Sequence, residues 1–167
     1  MRSLVVLLFS GFLVSYAEEP VTPYDHYFKK SSLKYGINSK VLKAICYVET
    51  GLHPYAIGVS KDGRVIRSYY PKSLKEAKNI LLELKALPGR VNFDVGLCQI
   101  SRMEMEILNV SPEALLDPKS NIDFAAYVLK RKILKKGYTW EAVSSYNGGK
   151  DYHEKVFKVL QKWKVIE

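Results

Sequence analysis

The sequence predicts a single, predominantly α-helical α+β domain with one small β-hairpin element, and three observations carry that expectation. Apolar residues recur at three-to-four spacing over seven or so segments. Only one region, between residues 65 and 100, offers short β-rich runs beside turn residues. The 167 residues are 47% hydrophobic and 26% charged, with 10 Gly and 7 Pro. That composition suits one buried core and excludes disorder, collagen-like repeats and tandem domains.

The first segment is expected to be removed. Met1-Arg2 is positively charged, Leu4 to Val14 is an apolar run, and Ser15-Tyr16-Ala17 offers a small-x-small cleavage site. A secretory signal peptide at residues 1–17 leaves a domain at 18–167 and directs it to the periplasm of a two-membrane bacterium. The apolar run is too short to span a bilayer. No cysteine follows it to accept a lipid.

Tyr24 to Tyr35 reads as a first helix with Tyr24, Tyr27, Phe28 and Leu33 as apolar positions, stopped by Gly36. Asn38-Ser39 caps a second, Lys40 to Thr50, with Val41, Leu42, Ile45 and Val48 inward. From Gly51 to Tyr70 the chain reads as irregular, with a short strand at Val65 to Tyr70 after the Asp62-Gly63 turn. Ser73-Leu74-Lys75-Glu76 has capping-box spacing for a helix to about Leu87, closed by Pro88-Gly89. Val91 to Ile100 suits an extended hairpin-like piece in which Gly96 allows close backbone approach. A second capping box, Ser101 to Glu104, starts a brief helix ending near Asn109, and Ser111-Pro112-Glu113 begins a short turn. A long helix runs from about Asn121 to Lys136 with Ile122, Ala125, Ala126, Leu129 and Ile133 inward. Trp140 to Tyr146 and Tyr152 to Trp163 complete the set.

The formal charge is +9, or +8 once Arg2 is removed with the leader, so an acidic ligand or surface is a natural partner. The lysines are scattered, and no nucleic-acid motif accompanies them. Cys46 and Cys98 are the only cysteines. In an oxidising compartment they either form one disulfide or stand as two buried thiols, and sequence leaves both open. His26, His53 and His153 are isolated, so no metal ligand set and no cofactor motif is expected.

Glu49 is the candidate catalytic acid. It follows Ile45 by four residues and Leu42 by seven, which places it on the apolar face. It also occupies the last helical turn, where the dipole disfavours a negative charge. Both effects raise its pKa, and a carboxylic acid kept protonated can donate to a glycosidic oxygen.

The segment Ala44 to Ala56, with Glu49-Thr50 and His53-Pro54-Tyr55-Ala56, resembles the Glu-Ser signature of soluble lytic transglycosylases. Gly96-Leu97-Cys98-Gln99-Ile100 is similar to their Gly-Leu-Met-Gln block, and Ser145-Tyr146-Asn147-Gly148-Gly149 to their Ala-Tyr-Asn-Ala-Gly block. Asp117-Pro118 and Asn121-Ile122 match the pattern before the intervening helix. The resemblance covers residues 38 to 150. It implies a goose-lysozyme-like fold and cleavage of the MurNAc to GlcNAc bond of peptidoglycan with formation of 1,6-anhydroMurNAc. Thr50 replaces Ser, Cys98 replaces Met and Gly148 replaces Ala, and none of these removes a group the chemistry needs. His53 to Val59, the helix from Ser73 and Asn92 to Ile100 are similar to the small transglycosylases of type IV secretion and conjugation machines, though Lys119 stands where those relatives often have Cys.

The resemblance implies that Glu49 is general acid and then base, while Thr50, Gln99, Tyr146 and Asn147 bind substrate. Peptidoglycan strands are the expected partner, together with a secretion or conjugation machine; the chain is expected to be a monomer. Because the substrate's C6 hydroxyl is the nucleophile, no second carboxylate is required. Asp94 leaves lysozyme-type hydrolysis open, although a cap or orienting role in the hairpin is the simpler reading. A non-catalytic wall-binding module of a secretion machine is the other alternative.

Overall fold

A computed structural model describes residues 18–61, 64–87 and 91–166. The expected signal peptide at 1–17 and the Asp62-Gly63 and Pro88-Gly89 turns lie outside the described residues. Among those described, the chain forms seven α-helices and a four-stranded antiparallel sheet, the α+β arrangement expected.

Helix α1 (Asp25–Tyr35) starts where Thr22 and Asp25 exchange hydrogen bonds, Thr22 Oγ1 donating to Asp25 Oδ1 at 2.7 Å. Its buried face carries Phe28, Ser31 and Ser32, while Leu33, expected inward, is exposed. The helix turns this way because the Ser31 hydroxyl and Tyr35 both donate to Asp123 of the long helix. Helix α2 (Ser39–Thr50) is capped by the Asn38 side chain, which accepts from the Lys40 and Val41 amides. Leu42, Ala44, Ile45 and Cys46 are fully buried. Lys43 is buried too. Its ammonium is held by Glu19 at 2.9 Å, Asp25 at 2.7 Å and the Pro20 carbonyl at 2.6 Å, satisfying the charge and tying the N-terminal segment to α2.

Between α2 and the next helix lie two strands rather than one, β1 (Ile57–Lys61) and β2 (Arg64–Tyr69), joined antiparallel with a register shift at Val59/Ser60. Helix α3 (Leu74–Ala86) is capped by Ser73 and buries Ala77, Leu81 and Leu84. Strands β3 (Asn92–Val95) and β4 (Ile100–Ser101) complete a sheet in the order β2-β1-β3-β4. Alternation gives the sheet two characters. Ile57, Val59, Phe93, Val95 and Ile100 face the core. Gly58, Ser60, Ser68, Asn92, Asp94 and Ser101 pair across the strands on the other, polar face.

Helix α4 (Arg102–Leu108) is capped by Ser101, and a 3-10 turn at Ala114–Leu116 leads into α5 (Pro118–Lys136), whose N-cap is Asp117. Its inward residues are those the spacing predicts, with Asn121 added. Helices α6 (Trp140–Asn147) and α7 (Tyr152–Lys162) then pack against α5 and α2 respectively. One core, built on α2, α5 and the apolar side of the sheet, holds them all.

Candidate active site

The site forms where the C-terminal ends of α2 and α6 meet the sheet's polar face. Glu49 lies in the last turn of α2, and Asn147 is the last residue of α6. The Asn147 amide donates to Glu49 Oε1 at 3.2 Å. A tyrosine hydroxyl at the start of α7, Tyr152, donates to the Ile45 carbonyl of α2 at 3.5 Å and lies near enough to the Glu49 carboxyl to act on its charge. Burial raises the pKa of Glu49, and it outweighs the opposing effects of Tyr152, Asn147 and the Lys155 ammonium. Tyr152 itself is held neutral by burial and by the adjacent Glu49 charge.

Asp94 sits on the polar face of β3, in the same electrostatic environment. Burial first and the Glu49 charge second push it up to about 6. The Glu49 charge is thus felt at Asp94, though burial is the larger cause of its shift. Asp94 pairs with Gly58 and Ser101 across the strands, on the sheet face that meets Glu49.

The wall of the site is the turn Gly96 to Gln99, and its geometry explains the residues found there. The Gly96 amide donates to the Ala56 carbonyl at 2.8 Å. Gly96 has φ +81°, and a Cβ on it would lie 2.1 Å from Asn121 Nδ2. Asn121 is wholly buried and clamps the turn from below. It accepts from the Cys98 amide at 2.8 Å and donates to the Val95 and Leu115 carbonyls, each at 2.9 Å. Gln99 adopts φ +51°, a left-handed conformation that costs a non-glycine residue about 1 kcal/mol. Its amide donates to the Ala56 and Gly96 carbonyls, leaving Oε1 directed at Gly58, where a Cβ would lie only 2.8 Å away.

The segment is the hairpin expected, β3 and β4 paired antiparallel and joined by a turn from Gly96 to Gln99 in which both end residues have positive φ. Cys98 is buried in that turn, bonded to Cys46 of α2 with a Cα separation of 4.1 Å. This settles the cysteine alternatives in favour of the disulfide.

Of the residues expected to bind substrate, Asn147 and Gln99 line the site, whereas Thr50 and Tyr146 hold its frame. The Thr50 hydroxyl donates to the Leu97 carbonyl at 2.7 Å and accepts from the His53 amide at 3.1 Å. The Tyr146 hydroxyl donates to the Cys98 carbonyl at 2.9 Å. Both therefore fix the turn relative to α2 and α6. Tyr152 was not among the expected site residues, and Asn121 entered only through the family pattern Asp117-Pro118 and Asn121-Ile122. Asn121 had a signal, a polar residue at the head of the apolar stripe Ile122, Ala125 and Leu129, where an unpaired amide would be costly. Tyr152 had none, since it reaches Glu49 only through the packing of α7 on α2.

Among the described residues no group of three His, Cys, Asp or Glu side chains is placed to hold a metal ion, and no helix is long and apolar enough to cross a membrane. Glu49 with its Asn147 amide donor and the nearby Tyr152 phenol, beside a second raised carboxyl, is an arrangement suited to proton transfer.

Comparison with known proteins gives this geometry a context. The chain is 28% identical over 143 residues to the Invasion protein IagB of Salmonella typhimurium, covering 78% of this chain and 72% of the relative. It is 32% identical over 119 residues to the Type IV secretion system protein virB1 of Brucella abortus, covering 66% of this chain and 48% of that protein. It is 27% identical over 124 residues to Protein IpgF of Shigella sonnei, covering 72% and 63%. No solved structure matches the chain. The Transglycosylase SLT domain matches residues 26–164, which span every element from α1 to α7, and the chain belongs to that family.

Proposed function

We propose that this protein is a peptidoglycan lytic transglycosylase that cleaves the MurNAc to GlcNAc β-1,4 bond and leaves a 1,6-anhydroMurNAc end, with Glu49 as the catalytic acid and base. The observation that carries the reading is the half-buried Glu49 at the end of α2, its pKa raised by burial and its carboxyl held by Asn147. Protonated, Glu49 gives its proton to the leaving glycosidic oxygen. As a carboxylate it then takes the proton from the C6 hydroxyl of the same MurNAc, whose oxygen closes on C1. The atoms balance without water. Asn147 and Gln99 face the sugar; Thr50 and Tyr146 keep the Gln99 turn in register with Glu49.

Asp94 supports a second reading, lysozyme-type hydrolysis. A carboxyl titrating at about 6 is largely ionised at neutral pH and could activate water or stabilise a cationic sugar. The family membership favours the transglycosylase reading. The names of the relatives, an invasion protein and a type IV secretion system protein, support a role in opening the wall for an envelope-spanning machine, and hence a periplasmic location. They support a wall-binding accessory module less well, since such a module has no need of Glu49 in this setting.

The test is digestion of purified sacculi by residues 18–167. Wild type should solubilise them, and Glu49→Gln should fold normally yet lose activity by at least about a hundredfold, the scale of general acid catalysis. A Glu49→Gln enzyme retaining a tenth of the rate would remove Glu49 from its role.

A further inference from the structure

Among the described residues two bonds join α2 to the turn from Gly96 to Gln99. One is the hydrogen bond from the Thr50 hydroxyl to the Leu97 carbonyl, and the other is the Cys46 to Cys98 disulfide. Cys46 precedes Glu49 by three residues on α2, so the two are neighbours on the helix surface. Cys98 directly precedes Gln99. The bridge therefore starts one helical turn from the side chain assigned to proton transfer and ends one residue from a side chain set against the sugar. Both cysteines are fully buried.

The stability that a bridge gives by closing a loop depends on the length of the loop, not on which residues it joins. What this bridge adds is local. The Gln99 amide N–H donates to the Gly96 carbonyl at 3.0 Å, and its side chain donates to the Ala56 and Gly96 carbonyls. Those bonds hold Gln99 to its own hairpin and to the start of β1, not to α2. Asn121 and Tyr146 tie the turn to α5 and α6. With the bridge open, one neutral hydrogen bond from Thr50 is left to hold Gln99 in register with Glu49. A misplacement of about 1 Å in such a site is enough to cost about a hundredfold in rate.

We propose that Cys46 and Cys98 are positioning residues for the reaction assigned to Glu49: the bond between them sets Gln99 against the acid, and the site is complete only when the pair is oxidised. The oxidant is an external disulfide. One thiolate attacks it and expels a thiol, and the second thiolate attacks the mixed disulfide and expels the other, so the pair gives two electrons and two protons to one disulfide. The proposal rests on the transglycosylase reading for its effect on rate, and on the geometry of the turn alone for its effect on Gln99.

The experiment compares two forms of residues 18–167 that differ only in this bond. The chain is refolded under dithiothreitol, freed of reductant and divided; one half is kept reduced and the other is oxidised with glutathione disulfide, thiol titration confirming each state. Circular dichroism sets a temperature at which both are folded, and muropeptide release is measured over a range of sacculus concentrations. The reduced form should show a kcat at least about tenfold lower, restored by oxidation. Its Gln99 backbone and side-chain amide NMR signals should shift or broaden, while those of Ala77 and Leu81 in α3 stay in place. Leu81→Ala, a buried truncation that destabilises on the scale of an opened bridge, should keep the wild-type kcat. If the reduced chain does not fold, Cys46→Ala/Cys98→Ala takes its place. A kcat within about twofold of the oxidised form, an equal loss in Leu81→Ala, or unmoved Gln99 signals would each overturn the proposal. An oxidised protein that releases nothing would sink the Glu49 reading by itself, and the Gln99 signals would still decide whether the bridge positions the turn.

Discussion

Replacing Gly96 with alanine should be among the most damaging single-methyl changes available to this fold, and the cost can be set against a control elsewhere in the same site. Gly96 and Gly51 both have positive φ, +81° and +64°. For either, alanine incurs about 1 kcal/mol of backbone strain. At Gly51 nothing lies within 4 Å of the new Cβ, so the cost ends there. At Gly96 the Cβ would lie 2.1 Å from Asn121 Nδ2 and 2.5 Å from the Leu115 carbonyl oxygen. The carbonyl is backbone of the 3-10 turn, and Asn121 cannot withdraw without giving up its three hydrogen bonds, to the Cys98 amide and the Val95 and Leu115 carbonyls. Each is worth about 1 kcal/mol, and leaving buried partners unpaired adds more. Gly96→Ala should therefore cost about 4–6 kcal/mol against about 1 for Gly51→Ala. That is a large share of the roughly 5–15 kcal/mol by which a domain is stable. Urea unfolding followed by far-ultraviolet circular dichroism measures both. A Gly96→Ala protein within 1 kcal/mol of Gly51→Ala would show that Asn121 does not clamp the turn as described.

Two further outcomes follow from the same residues. The Cys46 to Cys98 bridge spans 52 residues, and the chain-entropy cost of that loop predicts that Cys46→Ala/Cys98→Ala loses about 4 kcal/mol in urea unfolding; a loss under 1 kcal/mol would deny the bridge a stabilising role. Asp94 titrates at 3.8 when unfolded and about 6 in the fold, so between those values the folded state keeps a proton the unfolded chain releases, and stability falls as pH rises through that window. Asp94→Asn should remove that fall and gain on the order of 2 kcal/mol relative to wild type between pH 3.5 and pH 7; parallel stability curves for the two proteins would contradict the assigned burial.

Helices were legible because their apolar spacing and caps are local. Asn38, Ser73, Ser101 and Thr139 each cap the helix that follows them, and Ile122, Ala125, Ala126, Leu129 and Ile133 are buried as spaced. Strand β1 was not legible, because Gly58 stands in its middle and reads as a break. Its reason is non-local: only a glycine leaves room for Gln99 Oε1. Leu33 misled for a related cause, since the Ser31 to Asp123 contact across helices set the orientation of α1. At the site, Glu49 and Asn147 were visible through helix position and motif order. The framing roles of Thr50 and Tyr146 and the approach of Tyr152 depend on partners 47 to 107 residues away in sequence, and the Asn121 clamp on partners up to 26 residues away, beyond the reach of any local pattern. Asp94 was noticed but read as part of a hairpin; its coupling to Glu49 emerges only when β3 is laid beside the end of α2.

The proton that Glu49 recovers comes either from the C6 hydroxyl of MurNAc or from water, and the muropeptide products report which directly. If Glu49 acts alone and the C6 hydroxyl of MurNAc attacks, each cleavage leaves an anhydro end, one water lighter than a hydrolysed end. Liquid chromatography with mass spectrometry of sacculus digests should then show anhydro ends in large excess for wild type and unchanged in kind for Asp94→Asn. Mainly reducing ends from the wild type, lost when Asp94 becomes Asn, would make Asp94 the base that activates water and the protein a hydrolase.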